Sequence, residues 1–346
     1  MFRRVSAAAL ILIVAAALLV SVWPQLFGLH RLPGFAHVVS FRAFAATAAV
    51  GLIVALALAA MVSRAFRGLA TSLIVMMLVF VLATAAVLST RGFSTVTHTA
   101  DLDPTVETEG SGTELTVLSW NTLGPATTPD AIAQLALESG ADIVVLPETI
   151  LDTATQAAVL MREGGSPMWA HTLAYDQVSP AKSTSLLTSV ELGHYDFNSV
   201  GTTTAVLPTL VGTPRSGTGP RIIAVHAVAP IPGQFDVWPK DLALLAELCT
   251  GDNIIMAGDF NATIDHMTGL EAEPGKTLGD CTDAAMTAKS AALGTWPTQL
   301  PALLGAPIDH VMSTSDWEVV EAHVVQTMDL SGSDHRPIVA RLAYRP

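Results

Sequence analysis

Two hydrophobic rhythms divide the chain. Up to Arg91 apolar residues run in long blocks, free of charge from Arg4 to His30, from Arg42 to Arg64 and from Arg67 to Arg91. The centre of the first block reads AAALILIVAAALLVSV. Each block offers about 20 residues, enough for a helix to cross roughly 30 Å of hydrocarbon. The pattern predicts a membrane region over 1–91 with three transmembrane helices, at about 6–28, 43–63 and 68–90. The first block alone would also suit a signal peptide. Two further blocks behind it favour a retained region.

From Gly92 to Thr113 the rhythm vanishes. STVTHTADLDPTVETEGSGT is rich in Thr, Ser, Gly, Asp and Glu and reads as a flexible linker over 92–113, long enough to let the C-terminal residues stand off from the membrane. From Glu114 short apolar or alternating runs predict strands: LTVLSW, ADIVVLP, STSLLTSV, TAVLPTLV, RIIAVHA, NIIMAG, IDHVM and RPIVARL. Helical stretches lie between some of them. TPDAIAQLALESG has Thr128 as N-cap and Gly140 as C-cap, and FDVWPKDLALLAELCTG is the second. Alternating strand and helix over this length can bury one large core, so residues 114–346 form a single α/β domain.

Charge sharpens the division. Residues 1–91 carry seven Arg and no Lys, Asp or Glu; the remainder carries ten basic and thirty acidic residues, a formal charge of −20. An N-in start puts Arg3, Arg4, Arg64 and Arg67 in the cytoplasm and Arg31, Arg42 and Arg91 outside, a slight positive-inside bias. That orientation predicts a multi-pass protein of the cell membrane with an extracellular acidic domain. The two cysteines, Cys249 and Cys281, both lie in that domain. In an exported domain they read as a disulfide, in the cytosol as two buried thiols. No Cys/His spacing points to zinc.

Candidate chemistry sits where buried strands end, the place where a rigid sheet can hold polar groups together. Asn121 closes LSWN, Glu148 follows VVLP, and His226 follows IIAV. In MAGDFNAT, Asp259 and Asn261 are two residues apart and share a face if extended, although a plain Gly-Asp turn reads the same way. IDHVM and SGSDHRPIVA supply Asp309, His310, Asp334 and His335. A carboxylate that fixes an imidazole tautomer makes a general base. Further carboxylate and amide oxygens suit Mg²⁺, which prefers a few oxygen ligands and keeps its waters.

In order, SWN (Ser119–Asn121), PET (Pro147–Thr149), HxxxP (His226–Pro230), GDFN (Gly258–Asn261), TW (Thr295–Trp296), IDH (Ile308–His310) and SDHRP (Ser333–Pro337) resemble the endonuclease/exonuclease/phosphatase superfamily. It includes DNase I-like nucleases, inositol polyphosphate phosphatases and bacterial sphingomyelinases. The resemblance implies a four-layered α/β sandwich, two mixed β-sheets flanked by helices, behind the three-helix transmembrane region. It implies that Glu148 and Asn121 bind Mg²⁺ or Mn²⁺ with Asp334 close by. His335 would be the base, oriented by Asp309. His226 would donate to the phosphate, Asp259 align the nucleophile or leaving group, and Asn261 hold a phosphoryl oxygen. Some nuclease members carry an acidic residue two positions after the Asn; Leu123 stands here, which implies a single metal. STSLLTS matches loosely where many members have a Gly-led strand. Trp296 reads equally as substrate pocket or as packing.

The implied activity is metal-dependent phosphoester hydrolysis, of a lipid headgroup or a small phosphodiester. Ten basic residues against thirty acids, with no basic run, argue against tight nucleic-acid binding, although an extracellular nuclease with local contacts is an alternative. A catalytically inactive membrane-anchored binding module is another, set against the presence of every expected polar group. The sequence points to no protein partner.

Overall fold

The computed structural model describes residues 2–95, 113–176, 178–217 and 219–345. Three helices are long and apolar enough to cross a membrane: α1 (Phe2–Val22), α3 (Arg42–Val62) and α4 (Arg67–Arg91). α4 packs against both of the others. α1 stops at Val22, six residues short of the expected end. Pro24 has no N–H to continue the ladder, and the chain tightens into a 3-10 turn over Pro24–Phe27. Gly28 closes that turn in the left-handed region at φ +66°. A short helix, α2 (Phe35–Ser40), then leads into α3.

The rest folds as two six-stranded sheets among the described residues. The first has the order β11 (Trp317–Val324), β12 (Ile338–Tyr344), β1 (Glu114–Ser119), β2 (Ile143–Pro147), β4 (Ser183–Ser189), β3 (Met168–Ala174). The second runs β5 (Tyr195–Asn198), β6 (Leu210–Pro214), β7 (Arg221–His226), β8 (Ile254–Asp259), β10 (Asp309–Ser313), β9 (Thr282–Asp283). At the centre of each lies one parallel pair, β1 with β2 and β7 with β8. These strands are buried on both faces, which is why they read as unbroken apolar runs.

Strand alternation makes the layers. Val117, Val145, Ile222 and Ile255 point between the sheets. Leu118, Val144 and Leu146 face outward beneath α5 (Pro129–Ser139) and α6 (Leu151–Glu163). Ile223, Val225 and Met256 lie beneath α7 (Trp238–Leu248). The expected caps are present: the Thr128 hydroxyl accepts from Ala131 N, and Gly140 is left-handed at φ +62°. Cys249, at the end of α7, is joined to Cys281 with Cα atoms 6.0 Å apart.

Gly258 does something other than permit a turn. It lies within β8 at φ +142°, and a Cβ there would sit 2.1 Å from the Val225 carbonyl oxygen. Its missing side chain lets β7 approach and brings His226 into register with Asp259. Gly258→Ala therefore strains the backbone and parts the two strands. A loss of at least about 2 kcal/mol is expected in denaturant titration of the detergent-solubilised protein.

The two-sheet domain does not stand off from the helices. Asp265, at the head of α8 (Ile264–Met267), accepts from Arg42 Nε at 2.9 Å, Arg91 Nη2 at 2.5 Å and Gln25 Nε2 at 2.5 Å. Arg31 donates to the carbonyls of His266 and Thr268. His266 Nδ1 accepts from Thr263 N, so its Nε2–H donates to Ala36 O. Ala36 is buried in the cluster beneath α7. Residues 92–95, expected to open the linker, lie along the domain: Ser94 N donates to Lys289 O, and a Cβ on Gly92 would meet that same oxygen. Residues 96–112 of the expected linker lie outside the described residues. Three unlike segments thus converge on one carboxylate, and the two arginines supply the compensation its burial requires.

Burial works against the Asp265 carboxylate, but Arg91 and Arg42 outweigh it and hold its pKa well below the ordinary range. A depressed pKa contributes stability above about pH 4, lost as the pH falls through the folded value. Asp265→Ala leaves two buried guanidiniums unpaired, at a cost of about 3–5 kcal/mol. Amide hydrogen exchange over residues 23–41 is expected to rise sharply in this variant, while that of β1 and β8 changes little.

Candidate active site

Chain direction explains why distant motifs meet. β1 and β2 are parallel, as are β7 and β8, so Asn121, Glu148, His226 and Asp259 all emerge at strand C-terminal ends. β10 runs antiparallel to β8 with Asp309 opposite Asp259, and β12 runs antiparallel to β1 with Ile338 opposite Ser119. The starts of β10 and β12 therefore fall at the same rim and bring Asp309 and His335 to it. All eight expected polar residues gather at that rim.

Their contacts cross from one sheet to the other. His335 Nδ1 lies 2.9 Å from Asp309 Oδ2, and its Nε2 is 3.9 Å from Asp259 and 4.0 Å from Asp334. Asn121 Nδ2 donates to Glu148 Oε1 and to Asp259 Oδ2, both at 3.1 Å. His226 Nε2 lies 3.9 Å from Glu148 Oε1, and its Nδ1 is buried without a hydrogen-bond partner. Asp259 Oδ1 accepts from Asn261 N, while the Asn261 amide turns to Ala227 O and Asp259 Oδ2. Glu148 at φ +58° and Asn261 at φ +47° are non-glycine residues in the left-handed region, a cost met in over-determined sites.

Environment sets the two histidines apart. Burial and the charge of His335 lower His226 to about 3, which keeps its imidazole neutral. Burial opposes protonation of His335 as well, but Asp309 and Asp259 outweigh it and raise its pKa. Asp259 is raised by burial and by Asp309, and Glu148 chiefly by burial. This is an excess of negative charge in a desolvated pocket, a setting that favours a bound cation.

The supporting network runs through the same motifs. Ser333 Oγ donates to Asn121 O and accepts from His335 N; Trp120 Nε1 donates to His335 O. Arg336, in the SDHRP motif, is buried and gives its guanidinium to the carbonyls of Gly294, Pro297, Thr298 and Leu300 and to Asp329. It thereby anchors the loop that carries Trp296. Trp296 Nε1 donates to Asp334 Oδ2 at 2.8 Å, so this residue both packs and holds a site carboxylate. Ser185 Oγ donates to Thr149 O, which makes STSLLTS a support for the Glu148 turn. His310 points to the opposite face from Asp309. Its ring nitrogens face Asp283 Oδ2 at 2.7 Å and Ala262 O at 2.8 Å, two acceptors that require an imidazolium in a structural ion pair.

Sequence reasoning overlooked one wall. The site opens into a cleft of about 380 Å³ whose lining includes Glu148, His226, Asp259 and His335, and also His37, Ser40 and Phe41. The last three come from α2 and the residue before α3, between the first two long apolar helices. Their only signal was polar and aromatic residues in a stretch too short and mixed to span a bilayer.

Two groupings offer cation ligands. Asp259, Asp309 and His335 present ligand atoms within 4.8 Å of one another. Glu148, Asn121 and Asp334, the set expected from the sequence, also stand at the rim: Asp334 lies 4.0 Å from His335 Nε2, and Asn121 turns its amide nitrogen to Glu148 and its oxygen to Leu123 N. In the first, the Nδ1 of His335 is already held by Asp309, which leaves Nε2 to face an ion.

Comparison with known proteins agrees with the geometry. The model of the endonuclease/exonuclease/phosphatase family matches residues 118–335, which leaves α1 to α4 outside it. A family protein of Leptotrichia buccalis has a similar structure at TM-score 0.51 and 13% identity, over 66% of this chain and 99% of that one. Structures from Bacteroides vulgatus and Bacteroides thetaiotaomicron match at TM-score 0.50 and 16% identity, over 67% and 68% of this chain and 100% of each of theirs. At such identities the likeness is one of fold. No curated protein matches the sequence. With its seven motifs gathered at one rim and the family model matched from Leu118 to His335, the chain belongs to the endonuclease/exonuclease/phosphatase family, whose members are generally phosphoester hydrolases.

Proposed function

We propose that the protein is a membrane-anchored, divalent-metal-dependent phosphoester hydrolase, with Mg²⁺ or Mn²⁺ held by Glu148, Asn121 and Asp334. The observation that carries this reading is the Asp309–His335 hydrogen bond beside a second, raised carboxylate and a neutral histidine. Such a set can remove a proton from water, orient it, and donate to a phosphoryl oxygen. The metal supplies charge neutralisation at the phosphate and lowers the cost of deprotonating water.

The chain's own groups divide the work. His335 is held by Asp309 through Nδ1, which leaves Nε2 to take the proton of the attacking water. Its carboxylate neighbours favour the imidazolium; a cation held at Glu148 would oppose them and favour the free base that the step needs. Asp259 lies 3.9 Å from Nε2 and aligns the water. His226 stays neutral, with one nitrogen turned towards Glu148, and donates to a phosphoryl oxygen as charge grows there. Asn261 has its amide hydrogens turned to Ala227 and Asp259, so it acts first by orienting Asp259.

For topology, the end of α1, the start of α3 and the end of α4 all meet the domain around Asp265 and Arg42. Three crossings then put the domain on the side opposite the N-terminus. Arg31, Arg42 and Arg91 have partners in this contact, while Arg64 and Arg67 lie at the far turn. An N-in start with the domain outside the cell accords with the positive-inside rule.

In detergent, with Mg²⁺, the full-length protein is expected to hydrolyse bis-p-nitrophenyl phosphate. His335→Ala should lower kcat by about 10²–10⁴-fold with an unchanged circular dichroism spectrum. His226→Ala should lower it by about 10²–10³-fold. EDTA should abolish turnover and Mg²⁺ or Mn²⁺ restore it; turnover indifferent to chelation would remove the metal from the reading.

A further inference from the structure

The reactive rim does not open to bulk solvent on all sides. One wall of its cleft is built from the segment that joins the first two long apolar helices. Phe41 directly precedes Arg42, the first residue of α3, and Arg42 is pinned to Asp265 and to the carbonyl of Val22, the last residue of α1. Phe41 is thereby held level with the ends of two candidate spans. Its ring meets that of Trp296 at 5.9 Å, and Trp296 in turn lies 6.5 Å from the ring of His335. Two ring contacts therefore connect the membrane boundary to the base. A bilayer headgroup layer is about 5–8 Å deep on each side, a depth of the same order.

The lining fits that placement. The floor is polar and titratable, with Glu148, His226, Asp259 and His335. Apolar and aromatic residues line the cleft as well: Phe41, Leu207, Ile231 and Trp296, with His37 and Ser40 beside Phe41. Ile231 is 47% exposed, and so is Leu303 at 44%, in a turn that α3 touches. A small water-soluble ester would use the floor and gain little from this wall. An amphiphile would use both, its phosphate on the floor and its backbone carbons against the wall, without leaving the bilayer.

Resting on the hydrolase reading above, we infer that the substrate is the phosphate ester of a membrane amphiphile, taken directly from the bilayer. His37, Ser40 and Phe41 of the membrane region form the specificity-determining wall. The alternative of a small soluble phosphodiester is thereby set aside. The domain's own charge of −16, from 10 basic and 26 acidic residues over 114–346, disfavours an approach across an anionic surface. Docking through Asp265 makes such an approach unnecessary, since the cleft is carried to the boundary by the anchor itself.

The test uses full-length protein in dioleoyl phosphatidylcholine vesicles doped with sphingomyelin or phosphatidylglycerol. Each long-chain lipid is compared with a short-chain, water-soluble analogue of the same headgroup, with bis-p-nitrophenyl phosphate as a reference. A kcat/KM at least tenfold higher for a long-chain lipid, phosphatidylcholine of the vesicle included, supports the inference. Phe41→Ala should reduce that preference by about tenfold, mostly through KM, and Phe41→Leu should recover part of it. The preference is a ratio, so it does not depend on how much of a variant is folded. Hydrolysis of the reference without long-chain preference, or a preference unchanged in Phe41→Ala, overturns the inference and leaves the hydrolase reading standing. No hydrolysis of any ester in Mg²⁺ or Mn²⁺ overturns both.

Discussion

Everything at the reactive rim depends on polar side chains bridging the gap between two sheets. Face-to-face sheets stand about 10 Å apart, a distance filled by apolar side chains in the interior. At the rim polar side chains cross it. Asp309 and Asp259 reach from the second sheet, and His335 and Asn121 meet them from the first. The contact of His226 with Glu148 spans the same seam. Such groups are desolvated by the sandwich on either side, which separates their proton affinities. His226 is held neutral while His335 is driven towards the imidazolium. Burial that would penalise a lone carboxylate is offset here by the partner on the opposite sheet.

A second seam joins this domain to the helices. It uses the same principle with permanent charges: Asp265 is buried and takes two guanidiniums from segments far apart in the chain. A buried ion cluster contributes little net stability against an apolar alternative, yet it is unforgiving of misalignment, because any member left unpaired is costly. That intolerance orients the domain on the membrane region. It also carries the α2 segment to the mouth of the cleft, so the two seams are linked through Phe41 and Trp296.

Loops between these seams are held by few residues. Arg336 alone gathers four carbonyls of the 294–300 loop, and its neighbour His335 is the proposed base. One short motif thus serves the chemistry with one residue and supports the loop that carries Trp296 with the next. Ser333 adds the link to Asn121 on the adjacent strand.

Much of this was legible in the chain itself. Runs of unbroken apolar residues named the central strands, because strands buried on both faces cannot alternate. Charge-free blocks named the three long helices, but block length carried the first past Val22, and the stop at Pro24 came from the structure. Asn121, Glu148, His226, Asp259, Asp309 and His335 stood out because each follows or begins such a strand. Local sequence could not decide what lies across a gap. His310 and Asp309 are neighbours in the chain, yet strand alternation sends one to Asp283 and the other to His335. Gly258 read as a turn until the position of Val225 was known. Asp265 carried no distinguishing mark, and residues 92–95 read as the start of a tether, because their partners lie many elements away along the chain. Charge pairing and close packing between remote segments are properties of distances in space, and only the tertiary structure supplied them.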